Sequence, residues 1–321
     1  MERLKIVIME RDTLGNDVSL DAFSEFGDVV CYHKSEPSEN VARAKDADIL
    51  IVNKIPMNAE TLGEATKLKL ICLTATGTNN VDFAYTNARG ITVCNVKGYS
   101  TDSVVQHTFA LLFYVYEKLA YYDAFVKSGE YAKNDIFSHF TKPFHELAGK
   151  TWGIIGLGAI GTKVGEIAEA FGCKVVYYST SGAHHTNRFP ERSLEELLNE
   201  SDIVSIHCPL TPATQKLIGR DQLSLMKKDA ILLNLGRGPI IDEEALAWAL
   251  ANDVIGGAGL DVLVKEPMDP ESPLLPIKDS TKLVITPHIA WATVEARTRC
   301  VEETAENVKA YLAGKSRNVV R

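Results

Sequence analysis

The sequence contains no long hydrophobic run. Its most apolar long stretch, residues 104–122, is interrupted by polar and charged side chains, whereas a membrane-spanning helix needs roughly 18 or more apolar residues in succession. The N-terminal segment Met1-Glu-Arg-Leu-Lys-Ile-Val-Ile-Met-Glu10 has an apolar stretch shorter than the core of a secretory signal. These absences predict a cytoplasmic chain without a transmembrane helix.

Clusters of positive charge are also absent. The chain has 34 basic and 42 acidic residues, a formal net charge of -8 and a pI of about 5.6, and nowhere do five like charges follow one another. Binding to nucleic acid or to an anionic membrane surface requires clustered Lys and Arg side chains. The composition therefore predicts neither of these partners.

The cysteines are few and without pattern. Six of them lie at positions 31, 72, 94, 173, 208 and 300, and no Cys-x-x-Cys pair occurs. This spacing lacks the signature of a zinc site or of a disulfide framework. We expect reduced residues of the protein core, and no metal site.

What the sequence does contain is a regular alternation of short β-branched runs with amphipathic segments of helical length. Such alternation predicts an α/β fold with doubly wound parallel sheets, covered by helices on both faces. With 321 residues and eleven runs, the chain exceeds one such sheet, and two units are expected. The expected strands are residues 4–9, 29–32, 48–52, 70–73, 91–93, 152–155, 174–178, 203–207, 230–233, 257–260 and 283–285.

The division between the units is predicted near residues 99–101. The segment Gly98-Tyr-Ser-Thr101 indicates a loop. Ser100 or Thr101 in this loop can cap a long helix that is predicted over residues 102–126. A final helix over residues 293–312 has no predicted strand after it. We expect this helix to return to the first unit, which is then discontinuous: residues 1–100 with 292–321, against 101–291 for the second unit.

The second unit opens with a dinucleotide-binding pattern. Gly156-Leu-Gly158-Ala-Ile-Gly161 follows an expected strand and begins an expected helix, and a second strand comes after that helix. The glycines permit a tight turn, close approach of a pyrophosphate and packing of helix on strand. Glycine spacing alone also suits a purely structural turn, but the strand–turn–helix context favours a nicotinamide cofactor.

The adenosine end of this site is unusual. Where NAD-specific sites carry an acidic residue on the ribose hydroxyls, the sequence has Ser179, followed by Thr180. The first Arg or Lys beyond it is Arg188, although His184 and His185 lie near. We expect NAD(H) as the cofactor, with poor discrimination against NADP(H).

Three polar residues follow expected strands downstream of the glycines. They are Arg237 in Asn234-Leu-Gly-Arg-Gly-Pro, Glu266 before Pro267, and His288 in Thr286-Pro-His. A guanidinium can bind a carboxylate through two hydrogen bonds, and a histidine oriented by a carboxylate can exchange a proton at neutral pH. Taken singly, Arg237 is also consistent with an arginine on the protein surface, and His288 is also consistent with a histidine that has only a structural role. Together they favour a reductase site for a small acid.

These segments together resemble the D-isomer-specific 2-hydroxyacid dehydrogenase family, over nearly the whole chain. The motifs that carry the resemblance are Thr76-Gly-Thr-Asn-Asn-Val-Asp82, Gly98-Tyr-Ser-Thr101, the glycine pattern, His207-Cys-Pro-Leu-Thr211, Leu235-Gly-Arg-Gly238, Gly259-Leu-Asp261, Glu266-Pro267 and Pro287-His-Ile-Ala290.

The resemblance implies two Rossmann-like or flavodoxin-like domains, a substrate-binding (catalytic) one from both chain ends and an NAD(P)-binding one. It implies His288 as acid/base, Glu266 as its partner and Arg237 as the substrate anchor. Implied substrate-binding residues are Thr76, Gly77, Arg237, His288 and Trp291, although Trp291 suits domain packing equally well. Implied cofactor-binding residues are Thr101, Gly156, Gly158, Ala159, Ile160, Gly161, Ser179, Thr180, Cys208, Pro209, Thr214, Leu235, Gly236, Asp261, His288 and Ala290.

Within the family the sequence looks most like the glycerate dehydrogenase, or hydroxypyruvate reductase, branch. The expected reaction is reduction of a small 2-keto acid to the D-2-hydroxy acid by a homodimer built on residues 100–148. Lobe closure is expected to hinge at residues 98–101 and 289–292. The alternatives are a short phosphoglycerate dehydrogenase, a D-lactate dehydrogenase, or a nicotinamide-sensing protein like the family's transcriptional corepressors.

Overall fold

The chain folds into two compact units, Met1–Ser100 with Trp291–Arg321, and Thr101–Ala290. The structure is a computed structural model that describes residues 3–182 and 185–321. Trp291, which the sequence assigned to the second unit, belongs to the first. Among the described residues, no helix is long and apolar enough to cross a membrane.

All eleven expected strands are present, with ends shifted by at most two residues. In chain order the strands are β1 (Leu4–Ile8), β2 (Gly27–Cys31), β3 (Ile49–Val52), β4 (Leu70–Leu73), β5 (Thr92–Cys94), β6 (Thr151–Ile155), β7 (Lys174–Tyr178), β8 (Ile203–Ile206), β9 (Ile231–Asn234), β10 (Gly257–Leu260), β11 (Leu283–Ile285) and β12 (Val319–Val320).

The twelfth strand corrects the sequence-based expectation. The chain continues beyond the last helix, turns at Asn318 with a φ of 51°, and pairs β12 antiparallel with β5. Two residues are too few to show alternation, and only the pairing with β5 makes them a strand.

The helices connect successive strands. They are α1 (Pro37–Ala44), α2 (Ala59–Leu62), α3 (Phe83–Ala88), α4 (Thr101–Tyr116), α5 (Leu119–Lys127), α6 (Ala159–Ala170), α7 (Leu194–Glu200), α8 (Arg220–Leu225), α9 (Glu243–Ala251) and α10 (Val294–Leu312). The last begins directly after Thr293, whose side chain accepts a hydrogen bond from the N–H of Ala296.

The prediction of one helix over residues 102–126 is wrong. Lys118 adopts the left-handed conformation, with a φ of 57°, and divides the segment into α4 and α5. Its Nζ donates to the carbonyl of Thr281, 3.0 Å away. This partner lies 163 residues away in sequence, so the local pattern carries no sign of the break.

Both units are doubly wound sheets, which confirms the predicted fold class. The first sheet has the order β2-β1-β3-β4-β5-β12, and the second β7-β6-β8-β9-β10-β11. All pairs in both are parallel except β5 with β12. The strand order reverses between β1 and β3, and again between β6 and β8, and such switch points are where open α/β sheets bind ligands.

Apolar side chains cover both faces of each sheet. In the first unit, one face packs on α1 to α3 and the other on α10, whose buried positions include Val301 and Val308. In the second unit the largest fully buried side chains are Trp152 and Tyr177. Of the six cysteines, all free, five are buried as expected, and Cys31 at the end of the edge strand β2 is exposed.

Asp242 shows how a charged cap starts a helix of the second unit. Its carboxylate accepts hydrogen bonds from the N–H groups of Glu244 and Ala245, the first turn of α9, and pairs with Lys216 Nζ at 2.9 Å. The bond with Lys216 is the main cause that lowers the pKa of Asp242, against a smaller opposing effect of burial.

Replacing Asp242 with alanine is expected to remove about 1 kcal/mol of stability and to lower the melting temperature by about 2–4 °C at pH 7. Because the folded pKa lies below the unfolded one, this contribution exists above about pH 4 and is lost as the pH falls through the folded pKa. Calorimetry should therefore show that the difference in melting temperature between Asp242→Ala and wild type becomes smaller at acidic pH. Asp242→Asn, which keeps a capping oxygen, should retain most of the stability; equal losses in both variants would contradict the role of the cap.

Candidate active site

The second sheet carries its glycine-rich turn at the switch point. β6 ends at Ile155, Gly156 takes a φ of 96°, and α6 begins at Ala159. A Cβ on Gly156 would lie 2.6 Å from the backbone nitrogen of Cys208, just beyond β8. Glycine is required here both by the positive φ and by the close approach of the neighbouring chain.

The start of α6 fits a pyrophosphate. The first N–H groups of a helix have no partner within it and attract negative charge. No acidic side chain lies in the first turn of α6, and Gly158 supplies no side-chain cap. Apart from its two neighbours in the chain, no described residue has an atom within 4 Å of a Cβ built on Gly158. The residues present therefore suit the dinucleotide that the sequence predicts.

His288 and Glu266 meet at the carboxyl edge of the same sheet. Glu266 follows β10, His288 follows β11, and the two strands are paired neighbours. The Nδ1 of His288 lies 2.7 Å from Oε2 of Glu266, whose Oε1 accepts from the N–H of Leu263 at 2.9 Å. This contact orients the imidazole through Nδ1 and leaves Nε2 as the atom that can exchange a proton with a ligand.

The loop that carries His288 is held by Asp261. His288 has a positive φ of 55°, a conformation that costs a non-glycine residue about 1–3 kcal/mol. On its C-terminal side, the N–H groups of Ile289 and Ala290 donate to the two oxygens of Asp261 at 2.9 and 2.8 Å. Hydrogen bonds to a charged group stabilise by about 1.5–3 kcal/mol each, so the Asp261 contacts outweigh the strain.

Two residues that the sequence did not single out complete this arrangement. The hydroxyl of Thr286 donates to Asp261 Oδ1 at 2.6 Å and lies 2.9 Å from Nε2 of His107 on α4. Burial lowers the pKa of His107, with the nearby charge of Asp261 acting in the opposite direction. In the sequence Thr286 is only the first residue of the motif around His288, and 179 residues separate it from His107, so no local signal joins the two.

Arg237 lies in the loop after β9, the strand next to β10. The following residue, Gly238, touches the Glu266 loop, because a Cβ there would be 1.9 Å from the carbonyl carbon of Leu263. The side chain of Asn234 closes the Arg237 loop, accepting from Gly236 N and donating to the carbonyl of Arg237, both at 3.0 Å. The loops bearing Arg237, Glu266 and His288 thus lie at the ends of three adjacent strands.

His207, unlike His288, has no carboxylate partner among the described residues that could orient its ring. It follows β8, and burial lowers its pKa to about 3. Neither ring nitrogen has a hydrogen-bond partner among the described residues. An imidazole in these surroundings stays neutral at pH 7, which favours His288 as the acid/base.

The loop after β8 is held in its conformation by hydrogen bonds between residues of the loop itself. Thr214 is buried, and its hydroxyl donates to the carbonyl of Pro209 at 2.8 Å. Burial raises the pKa of the Cys208 thiol to about 11, so Cys208 remains a neutral thiol. Of the other expected cofactor residues, Leu235, Asp261 and Ala290 are buried at the ends of strands or in the following loops, and Thr101 begins α4.

In the first unit, the loop after β4 carries Thr76 and Gly77, the two residues expected to bind the substrate carboxylate through their backbone amides. The hydroxyl of Thr76 donates to the carbonyl of Val96 at 2.8 Å, and Asn95 Nδ2 donates to the carbonyl of Thr76 at 2.7 Å. These two hydrogen bonds hold Thr76 in place. Trp291 stacks edge-to-face with Tyr99, their ring centroids 6.2 Å apart, so it does pack within the first unit. Its expected role at a substrate pocket stays a prediction.

Residues 109–290 match the family model described as "D-isomer specific 2-hydroxyacid dehydrogenase, NAD binding domain". The chain is 39% identical over 320 residues to the glycerate dehydrogenase of Methylorubrum extorquens, with 98% of each chain covered. It is 35% identical to the hydroxypyruvate reductase of Blautia hydrogenotrophica, with 99% of each covered. The chain belongs to the D-isomer-specific 2-hydroxyacid dehydrogenase family.

The comparison with solved structures extends this finding. An acyclic imino acid reductase in complex with NADPH and D-Arg superposes with a TM-score of 0.86 at 32% identity, covering 99% of this chain and 100% of that one. The predicted family, the class of enzyme and the nicotinamide cofactor are confirmed. The roles assigned to individual residues of this family member stay predictions.

At the position expected to face the adenosine ribose, this dehydrogenase has Ser179 in place of an acid. Ser179 follows β7 directly, His184 lies outside the described residues, and His185 contacts Glu191 and the carbonyl of Gly182. The guanidinium of Arg188 is engaged by Glu166 and Glu169 of α6. Within residues 3–182 and 185–321, no group of three or more His, Cys, Asp or Glu side chains is arranged to hold a metal.

Two glycine variants distinguish an effect on cofactor binding from an effect on the stability of this dehydrogenase. Gly158→Ala is expected to keep the wild-type melting temperature and to weaken NADH binding about tenfold or more, because its methyl group enters the space over the helix N-terminus. Gly156→Ala should lower the melting temperature as well, because its Cβ collides with Cys208. Fluorescence titration and calorimetry measure both effects; unchanged NADH affinity in Gly158→Ala would count against this cofactor site.

Proposed function

We propose that the protein reduces a small 2-keto acid, hydroxypyruvate or glyoxylate, to the D-2-hydroxy acid with a nicotinamide cofactor, using His288, Glu266 and Arg237. The observation that carries this proposal is the 2.7 Å contact between His288 Nδ1 and Glu266, beside the Arg237 loop. Carbonyl reduction of a keto acid requires an oriented proton donor and a cation for the carboxylate, and His288 and Arg237 supply these two groups from loops of the same sheet edge.

Substrate binding is assigned to one cation and two backbone amides. The planar guanidinium of Arg237 binds the carboxylate through two parallel hydrogen bonds, which a lysine cannot form. The N–H groups of Thr76 and Gly77 bind the same carboxylate. Holding the acid group in this way leaves the keto carbon at a defined position for reaction.

Proton transfer is assigned to His288. Its Nε2 donates a proton to the keto oxygen as negative charge develops there, and Glu266 stabilises the imidazolium through Nδ1. When bound, the nicotinamide supplies the hydride. Ser179 neither repels a 2′-phosphate as an acid would nor binds it as an arginine would, so we propose NAD(H) as the cofactor, with NADP(H) also used.

The test is the oxidation of NADH and NADPH with hydroxypyruvate, glyoxylate, pyruvate, phosphohydroxypyruvate and phenylpyruvate. We expect the highest kcat/KM with hydroxypyruvate or glyoxylate. Preference for phosphohydroxypyruvate would favour a short phosphoglycerate dehydrogenase, and preference for pyruvate a D-lactate dehydrogenase. NADH binding without any turnover would favour a nicotinamide-sensing protein.

Two variants test the assigned roles. His288→Gln is expected to lower kcat by about 10²–10⁴-fold while NADH binding is kept. Arg237→Lys should raise KM more strongly than it lowers kcat. His33→Gln, which changes an exposed histidine of the first unit, serves as the control and should have no effect. Near-wild-type turnover in His288→Gln would refute the acid/base assignment.

We also propose that the protein is a homodimer joined through residues 100–148. This segment exposes large apolar side chains, among them Phe137 at 90% and Phe140 at 77% exposure. Monomeric proteins rarely leave contiguous apolar patches of this kind in water. A second copy of the chain is the partner that the family resemblance implies.

The double variant Phe137→Glu, Phe140→Glu is therefore expected to be a monomer by light scattering coupled to gel filtration. Leu312→Glu changes an equally apolar exposed residue at the end of α10 and should leave the dimer intact. A monomeric wild type, or a double variant that remains dimeric, would contradict the proposed interface.

A further inference from the structure

An anion-binding arrangement of the first unit is occupied by the protein's own carboxylate. Glu10 follows β1, and three consecutive N–H groups after β3 point at it. Asn53 N lies 2.7 Å from Oε2, Lys54 N 2.9 Å from Oε2 and 3.2 Å from Oε1, and Ile55 N 3.2 Å from Oε2. Successive backbone amides converging on one point form a nest for negative charge.

The location of this nest is the switch point of the first sheet. β1 and β3 are the strands between which the strand order reverses, and an open α/β sheet binds ligands outside the carboxyl ends of such strands. The second unit presents the N-terminus of α6 at the equivalent place. In the first unit, the carboxylate of Glu10 occupies the place where an external anion would otherwise bind.

The loop that Glu10 holds is joined to the loop of Thr76 and Gly77. Asn80 Nδ2 donates to the carbonyl of Ile55 at 2.8 Å and is 3.4 Å from that of Asn53. Met57 N donates to the carbonyl of Asn80 at 2.7 Å, and Met57 pairs with Val81 in a parallel bridge. Residues 53–57 and 78–82 therefore form one connected structure, with the Glu10 carboxylate at one end and the chain leading back to Thr76 and Gly77 at the other.

We propose that Glu10 is a positioning residue for substrate binding. Its carboxylate in the nest fixes residues 53–57, and through Asn80 it fixes the backbone of Thr76 and Gly77, whose amides bind the substrate carboxylate. The inference rests on the proposed function for that last step. Arg237, Glu266 and His288 belong to the other unit, so loss of Glu10 should raise KM while kcat and cofactor affinity are kept.

The variant Glu10→Ala tests both the nest and its consequence. Hydrogen exchange should show the amides of residues 53–55 protected in wild type, exchanging faster in the variant, and protected again when acetate is added. KM for hydroxypyruvate should rise about tenfold, as expected for the loss of charge-assisted hydrogen bonds. Acetate should restore KM, which a general loss of stability would not permit.

Asn80→Ala and Glu25→Ala provide the matched controls. Asn80→Ala breaks the link between the loops but leaves the carboxylate, so its KM should rise without rescue by acetate. Glu25→Ala removes an exposed carboxylate of the same unit and should change neither parameter.

An unchanged KM in Glu10→Ala, or exchange of residues 53–55 that does not respond to acetate, would overturn the inference. So would an equal loss of NADH affinity. If wild type itself reduces no keto acid, the proposed function fails, and the exchange measurement alone then decides whether Glu10 occupies the nest.

Discussion

Asp261 is almost completely buried, and its two carboxylate oxygens bind the chain on either side of His288. A buried charge is costly unless hydrogen bonds compensate for the lost water. Here they come from Thr286 and from two backbone amides, and they in turn hold His288 in its left-handed conformation. The direction of the imidazole towards Glu266, and with it the chemistry proposed for the site, depends on this buried carboxylate.

The two sheets share a topology but handle negative charge at their switch points in opposite ways. In the second unit, Gly156 and Gly158 clear the approach to the first turn of α6, whose amides suit the phosphates of a dinucleotide. In the first unit, the amides of residues 53–55 are taken by Glu10. The same fold thus provides two anion-binding arrangements. One is open to an external anion, and the other is occupied by a carboxylate of the protein itself.

The strands and the glycine-rich turn were predictable from the sequence. Each of the eleven expected strands coincides with a short apolar run, and the glycine pattern predicts the turn after β6. The misses have a common physical cause. The break at Lys118, the pairing of β12 with β5 and the contact of His107 with Thr286 all depend on partners more than 160 residues away. The Glu10 nest depends on strand order in the same way, because β1 and β3 are adjacent in space with β2 between them in sequence.

By itself the sequence determined the alternation of strands and helices, the glycine turn after β6, and the side-chain types at the ends of β9, β10 and β11. These properties are local, since a strand or turn is encoded by the residues within it and beside it. Only the tertiary structure decided that His288 meets Glu266, that Asp261 holds the loop between β11 and the end of its unit, and that Glu10 reaches residues 53–55. Such contacts are set by which strands lie side by side, and that order follows from packing the whole sheet.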